Sequence, residues 1–202
     1  MLAFLVQGAG FGFAAGSIPG ALHTFLISQT LAQGWRGSYL IPFSPLLTDA
    51  PIILLMVLVL GGLPAWVISG LQIVGGLYIL HLARVAWGQA RGPILENVPP
   101  AGRTTLWRAM VVNWLNPAPY IFWGAVTGPL LVEALDESLW HGALFLGGFY
   151  GVFIGIMVLV ALVFHRLRAL GERLVRGMLR VSAALLVFLG ITFLLSGAGV
   201  LG

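Results

Sequence analysis

One acidic side chain, Asp49, lies deep inside an apolar stretch of this 202-residue chain. A charge buried in hydrocarbon costs on the order of 2.5–3.5 kcal/mol on insertion scales, so such residues usually mark an ion or substrate path. Asp49 could therefore hold the ammonium group of a substrate or carry a proton, with Thr48 offering local hydrogen bonding. In the structural alternative, the acid binds backbone groups that Pro45 and Pro51 leave free.

Two proline-containing breaks interrupt apolar stretches elsewhere in the chain, at residues 17–20 (SIPG) and 116–119 (NPAP). Pro19 has no N–H to donate, and Gly20 lets the backbone turn without a Cβ penalty. Backbone groups freed at mid-membrane need a partner, and an exposed helix N-terminus attracts a carboxylate. We therefore predict a substrate site at the breaks, with a simple packing kink as the alternative; the polar and break residues concerned are Ser17, Pro19, Gly20, Asn116 and Pro117.

Two further polar residues, Asn113 and His23, lie close to the breaks. Asn113 and Asn116 are three residues apart and share one helix face just before Pro117. Their amides could coordinate an ion, bind both ends of a zwitterion, or only bridge helices. His23 follows the first break by one turn and could relay protons, bind substrate or serve as a hydrogen-bonded structural residue.

The composition is that of an integral membrane protein. Hydrophobic residues make up 59% of the chain and charged residues 8%, whereas soluble domains carry roughly 25% charged residues. The absence of Cys excludes disulfide, thiolate-metal and Cys-nucleophile chemistry. A lone Asp provides no aspartyl dyad, and no Ser-His-Asp arrangement is evident, so we expect no enzyme and no cofactor.

The hydropathy pattern predicts six membrane-spanning stretches. A span needs about 20 mostly apolar residues to cross roughly 30 Å of hydrocarbon. Six stretches qualify, the second being interrupted by three prolines: about 2–27, 39–60, 63–86, 107–132, 141–164 and 179–200.

All ten basic residues are arginines, and six spans place all of them on one side of the membrane. The acidic residues Glu133, Asp136 and Glu137 fall on the other side. The positive-inside rule then predicts that the arginine side is cytoplasmic and that both termini lie outside. Five or seven spans would scatter the arginines, which are Arg36, Arg84, Arg91, Arg103, Arg108, Arg166, Arg168, Arg173, Arg176 and Arg180.

The spans divide into two halves, residues 1–87 and 107–202, joined by a cytoplasmic linker at 88–106. Three spans per half give the halves opposite orientations, and breaks in the first span of each half are typical of inverted-repeat transporters. The predicted fold is a single all-α membrane domain over residues 1–202, with six transmembrane helices as two inverted three-helix repeats and helices 1 and 4 broken. Arginines around an apolar stripe at about 165–178 predict a short interfacial helix.

Glycines recur every four residues in two places, a pattern that lets helices approach closely. These stripes predict packing or sliding surfaces, and they would permit a homodimer. They are Gly8, Gly12, Gly16 and Gly20 in the first span, and Gly147, Gly151 and Gly155 in the fifth.

Five stretches in this order carry a family resemblance: GSIPG (16–20), QGWRG (33–37), Asp49, LQIVGGLYIL (71–80) and NWLNP (113–117). With them the chain resembles the lysine-exporter (LysE) family of small bacterial transporters, which includes the homoserine/threonine exporter branch. The likeness is good over about residues 8–120 and continues only in pattern beyond. The family commonly has Pro-Gly-Pro at the first break and Gly before the span-2 acid, where this chain has Ala21 and Thr48.

The resemblance implies a multi-pass protein of the bacterial inner membrane that exports amino acids or related small amphoteric metabolites, driven by the proton gradient. The expected partners are a small-molecule substrate, protons and membrane lipid, and no nucleic acid. Distant relatives move divalent cations, so a metal exporter is the alternative, although it would need several converging ligands. The resemblance implies that the site is lined by Pro19, Gly20, Asp49, Asn113, Asn116 and Pro117.

Overall fold

The computed structural model describes residues 2–18, 20–58, 64–91 and 102–200, and this part of the chain is helical without any strand. The all-α prediction is therefore confirmed. A 3-10 turn at Ile41–Phe43 precedes α3, and a π-helical segment at Phe122–Thr127 separates α6 from α7. The α-helices are α1 Leu2–Ser17, α2 Ala21–Ser38, α3 Ser44–Leu58, α4 Ala65–Arg91, α5 Arg103–Trp114, α6 Pro117–Ile121, α7 Gly128–Glu137, α8 Leu139–Arg168 and α9 Glu172–Gly197.

Within the described residues, two to four membrane spans meet the test of length and apolarity. Helices α8 and α9 meet it singly. Two bent pairs meet it jointly: α1 with α2, at an angle of 64°, and Pro117–Gly124 with Gly128–Glu137, at 45°. The 3-10 turn and the 15-residue α3 fall in the predicted second span, and α4 covers the predicted third span from Ala65 onward. The sequence pattern predicted six spans, two to four more than meet these criteria among the described residues.

Helix ends depart from the sequence prediction at two connections. Helix α4 continues to Arg91 and α5 begins at Arg103, so helix extends into both ends of the predicted 88–106 linker, whose middle lies outside the described residues. The predicted interfacial helix at 165–178 is divided between the end of α8 and the start of α9. Gly171 lies between them with φ 120°, a conformation that side chains other than glycine rarely adopt.

Close packing of α1 against α8 rests on glycines. A Cβ atom at Gly8 would lie 2.0 Å from the carbonyl oxygen of Phe145, and one at Gly12 would lie 2.2 Å from that of Phe149. The packing role predicted for these two residues is therefore confirmed. Gly148 of α8 makes the reciprocal approach, since its Cβ would lie 2.3 Å from the carbonyl oxygen of Leu5.

The second predicted glycine stripe does not form this contact. Nothing lies within 4 Å of a Cβ built at Gly147, Gly151 or Gly155, so the prediction that they pack is wrong within this chain. The rotation of α8 about its axis explains this. Gly148 faces α1, whereas the face that begins one residue earlier, at Gly147, points away from the other helices. A four-residue spacing identifies a smooth face but not the direction in which it points.

Glycines also bring α4 and α9 together. A Cβ atom at Gly76 would lie 2.8 Å from the carbonyl oxygen of Gly190, and one at Gly190 would lie 3.1 Å from the carbonyl oxygen of Gly76. Gly75, one residue earlier, lies against the end of α5, where a Cβ would be 2.2 Å from the carbonyl oxygen of Leu115. The glycines of the LQIVGGLYIL stretch thus fix α4 between α9 and the second break.

The QGWRG stretch forms a kink near the end of α2. Gly34 has φ 70° inside the helix, and the kink leaves the backbone N–H of Trp35 free to donate to Nδ1 of His165 at 3.2 Å. This contact ties the end of α2 to the end of α8.

Candidate functional site

The first break separates α1, which ends at Ser17, from α2, which begins at Ala21. This predicted interruption is confirmed, while Pro19 itself lies outside the described residues. Gly20 precedes α2 with φ −148° and ψ −172°, an extended conformation that any residue can adopt. The turn therefore does not use the conformational freedom of glycine, and nothing lies within 4 Å of a Cβ built at Gly20.

The second break is also present, between α5 and α6. Pro117 is buried at the first position of α6, where its missing N–H costs nothing. Asn116 caps this helix, because its side-chain oxygen accepts from the backbone N–H of Ala118 at 3.1 Å. A second irregularity follows at the π-helical segment, where Thr127 Oγ1 donates to the carbonyl oxygen of Phe122 at 3.0 Å.

Asp49 lies between these breaks and is 5% exposed. Its Oδ1 accepts from Asn113 Nδ2 at 2.8 Å and from the Thr48 hydroxyl at 3.4 Å. Its Oδ2 accepts from the Tyr150 hydroxyl at 3.1 Å and from Trp123 Nε1 at 3.4 Å. The carboxylate is thus held by neutral donors from α3, α5, the π-helical segment and α8.

Thr48 and Asn113 join α3 to α5 beside the acid. Asn113 Nδ2 donates to Thr48 Oγ1 at 2.6 Å, and Trp114 Nε1 donates to the Thr48 carbonyl oxygen at 3.3 Å. Thr48 is fully buried, so its side chain supports the site from behind. Asn113 therefore both bridges helices and touches the acid, which combines the two roles that its sequence position left open.

Protonation of Asp49 would change this network in a specific way. An ionised carboxylate only accepts hydrogen bonds, whereas a protonated one must also donate. Asn113 Nδ2 and Trp123 Nε1 can only donate, but the hydroxyls of Thr48 and Tyr150 can reverse direction and accept. These two hydroxyls are the groups through which a proton on Asp49 would be accommodated.

His23 bridges the two sides of the first break. Its Nε2 lies 2.8 Å from the carbonyl oxygen of Gly16 and must carry the proton, since a carbonyl only accepts. The histidine thus satisfies a carbonyl group near the end of α1, where the helical hydrogen-bond ladder stops. Its ring also stands edge-on to Phe153, with 6.3 Å between centroids.

A cavity of about 320 Å³ brings both breaks and the acid together. Its lining includes Asp49, Asn113 and Asn116, together with Gly20 and His23 from the first break. Three other predicted site residues do not line it: Ser17 is exposed at the end of α1, Thr48 lies behind the acid, and Pro117 is buried at the start of α6. A larger groove of about 720 Å³, lined from α2, α8 and α9, contains none of the predicted site residues.

Tyr150 and Trp123, the two donors to Asp49 Oδ2, were not predicted from the sequence. A buried Tyr or Trp usually needs a hydrogen-bond partner for its polar atom, and tryptophans in membrane proteins usually lie at the interface. Trp123 and Tyr150 both fall in the middle of predicted spans, far from either interface. That position was the available signal for a polar partner within the membrane.

The described residues offer little support for a metal centre. No group of three or more His, Asp or Glu side chains converges among them. Among the described residues that line the cavity, Asp49 is the only carboxylate, whereas a divalent cation needs several converging oxygen ligands.

A family model for the LysE type translocator matches residues 14–197 of the 202. The matched region contains both breaks, Asp49 and all the residues that line the cavity. No curated protein and no solved structure matches the chain.

Proposed function

The chain belongs to the LysE type translocator family of membrane transporters, and we propose that it exports amino acids or related small amphoteric metabolites by proton coupling, from a site at the cavity beside Asp49. The observation that carries this proposal is that one buried acid and two interrupted helices meet at one cavity. A path for lipid-insoluble solutes needs polar groups at membrane depth, and interrupted helices supply them.

The cavity offers complementary groups for both charges of an amino acid. Asp49 supplies the negative partner for an ammonium group. Helix α2 begins at the cavity with Ala21, Leu22 and His23, and no side chain caps its N-terminus. Its first N–H groups and its dipole favour a carboxylate.

The pairing of helices supports an inverted repeat. If each half is one copy of the repeat, the corresponding helices are α1 and α5, α3 and α8, and α4 and α9. Helix α1 packs on α8, and its counterpart α5 packs on α3. Helix α4 packs on its own counterpart α9. We propose six spans in two inverted halves, with both termini outside a bacterial inner membrane.

Transport in this scheme alternates access to the cavity from the two sides. Asp49 gains and loses a proton while the Thr48 and Tyr150 hydroxyls reverse their hydrogen bonds. Since these two residues lie on α3 and α8, the change of protonation alters contacts between the two proposed halves. The half-helices at the breaks move as the contacts change.

The test is exchange of radiolabelled amino acids across proteoliposomes by wild type and Asp49→Asn. We expect the variant to insert and elute normally and to lose exchange, because an uncharged amide can neither balance an ammonium group nor carry the proton. The matched control is Asp136→Asn, the same change at an exposed acid of α7, which should exchange as wild type. Wild-type exchange by Asp49→Asn would remove this residue from the mechanism.

A further inference from the structure

Aromatic rings form much of the cavity wall. The ring of Trp123 lies 5.0 Å from that of Phe149, and Phe149 stacks on Phe153 at 5.9 Å. Phe153 in turn meets His23 at the first break. The wall therefore runs without interruption from a donor to Asp49 to the start of α2. Phe122 and Phe193 also line the cavity.

Charged groups are scarce in the wall of the cavity. Among the lining residues that the structure describes, Asp49 is the only acid and there is no arginine. A substrate with a second ammonium group would leave one cation without a counter-ion, and one with a second carboxylate would face Asp49 with like charge. Burial of an unpaired charge is strongly unfavourable.

We propose that this cavity selects amino acids with an uncharged, apolar or aromatic side chain over basic, acidic and very small ones. This inference rests on the proposed function and deepens it. The cavity volume of about 320 Å³ suits one such molecule, since it falls at the lower end of the ~300–1,000 Å³ typical of small-molecule sites. The backbone charges of the substrate occupy Asp49 and the start of α2, and the side chain contacts the rings.

In this proposal, two residues of α9 contact the side chain of the substrate. Leu189 and Phe193 line the cavity from one helix face, four residues apart. Phe188, one residue before Leu189, is 65% exposed and faces away. The same helix therefore offers a test residue and a matched control for the same substitution.

The test is exchange in proteoliposomes with a panel of unlabelled competitors: glycine, alanine, leucine, norleucine, phenylalanine, lysine, glutamate and phenethylamine. Norleucine and lysine have side chains of similar length and differ in charge, whereas phenethylamine is phenylalanine without its carboxylate. We expect leucine, norleucine and phenylalanine to compete at least about tenfold better than alanine, lysine and phenethylamine, as hydrophobic pockets discriminate by roughly 10–200-fold per methylene.

Phe193→Ala should reduce the preference for phenylalanine over alanine by roughly tenfold, since a lost apolar contact has that order of effect on discrimination. Phe188→Ala should leave the preference unchanged. If Phe193→Ala fails to fold, the wild-type competitor panel alone still decides the proposal.

Each outcome bears on a different statement. Equal or better competition by lysine or glutamate would overturn the side-chain selectivity and leave amino-acid export standing. Competition by phenethylamine as strong as by phenylalanine would show a site for organic cations and would also overturn it. No exchange with any amino acid would contradict the proposed function itself.

Discussion

At the scale of single residues, Asp49 is coupled to several parts of the chain at once. Its donors come from α3, α5, the π-helical segment and α8. A substrate or proton that changes the charge or orientation of this one carboxylate therefore alters contacts between helices that are far apart in sequence. In the proposed function, this coupling links a change of charge at the acid to a movement of the surrounding helices.

Removal of the Tyr150 hydroxyl tests that link. Tyr150→Phe leaves Asp49 Oδ2 with only the longer bond from Trp123. We expect exchange to fall about tenfold, because a hydrogen bond to a charged group contributes roughly 1.5–3 kcal/mol. The measurement is the initial rate of exchange in proteoliposomes.

The control for this prediction is Tyr39→Phe. Tyr39 packs against Trp35 at the end of α2 and is not among the four donors to Asp49. An unchanged rate in Tyr150→Phe, or an equal loss in both variants, would show that the hydroxyl has no specific role.

The sequence identified the acid and its amide partner but only part of their surroundings. Asp49 and Asn113 were identifiable because an acid or amide inside an apolar stretch needs a partner. Trp123 and Tyr150 come from segments 74 and 101 residues further along the chain. Which residues of two distant helices face each other depends on helix rotation, which the hydropathy pattern alone does not determine.

At the scale of helices, the contact of α1 with α8 positions one wall of the cavity. Gly12 lies against the backbone of Phe149, and Phe149 lines the cavity. Any group larger than hydrogen at position 12 must push the helices apart, because backbone atoms cannot rotate away as a side chain can. The first glycine stripe therefore connects helix packing directly to the shape of the site.

Gly12→Ala should destabilise the protein, whereas Gly10→Ala should not. A Cβ at Gly12 would lie 2.2 Å from a backbone oxygen, while nothing lies within 4 Å of one at Gly10 on the same helix. Overpacking costs about 1–3 kcal/mol, and alanine stabilises an exposed helical position by up to about 1 kcal/mol over glycine. The measurement is the melting temperature of each purified variant in detergent. Equal melting temperatures would contradict the packing described here.

The breaks were predictable from proline chemistry, but their details were not. Pro117 at the start of α6 follows from its fixed φ and missing N–H. The π-helical segment after α6 and the extended backbone at Gly20 have no comparable sequence signal. The same limit applies to α8, where the sequence indicated a small-residue face but not which glycine contacts α1.

At the scale of the whole molecule, the proposed six-span topology places position 136 outside and position 36 inside. The chain has no native cysteine, so Asp136→Cys and Arg36→Cys each introduce one unique label site at an exposed residue. We expect a membrane-impermeant maleimide to modify Asp136→Cys in spheroplasts. Arg36→Cys should react only after the membrane is permeabilised. Modification of both from the same side would reject the arrangement.

The most direct measurement of the central claim is substrate protection of a cysteine in the cavity. Ala118→Cys places one thiol in the cavity lining at the second break, and Asp136→Cys places one on the surface as the control. If the cavity beside Asp49 holds the substrate, a saturating concentration of an exchanged amino acid will slow maleimide modification at position 118 and leave position 136 unaffected. The same modification rate at position 118 with and without that amino acid would contradict the account.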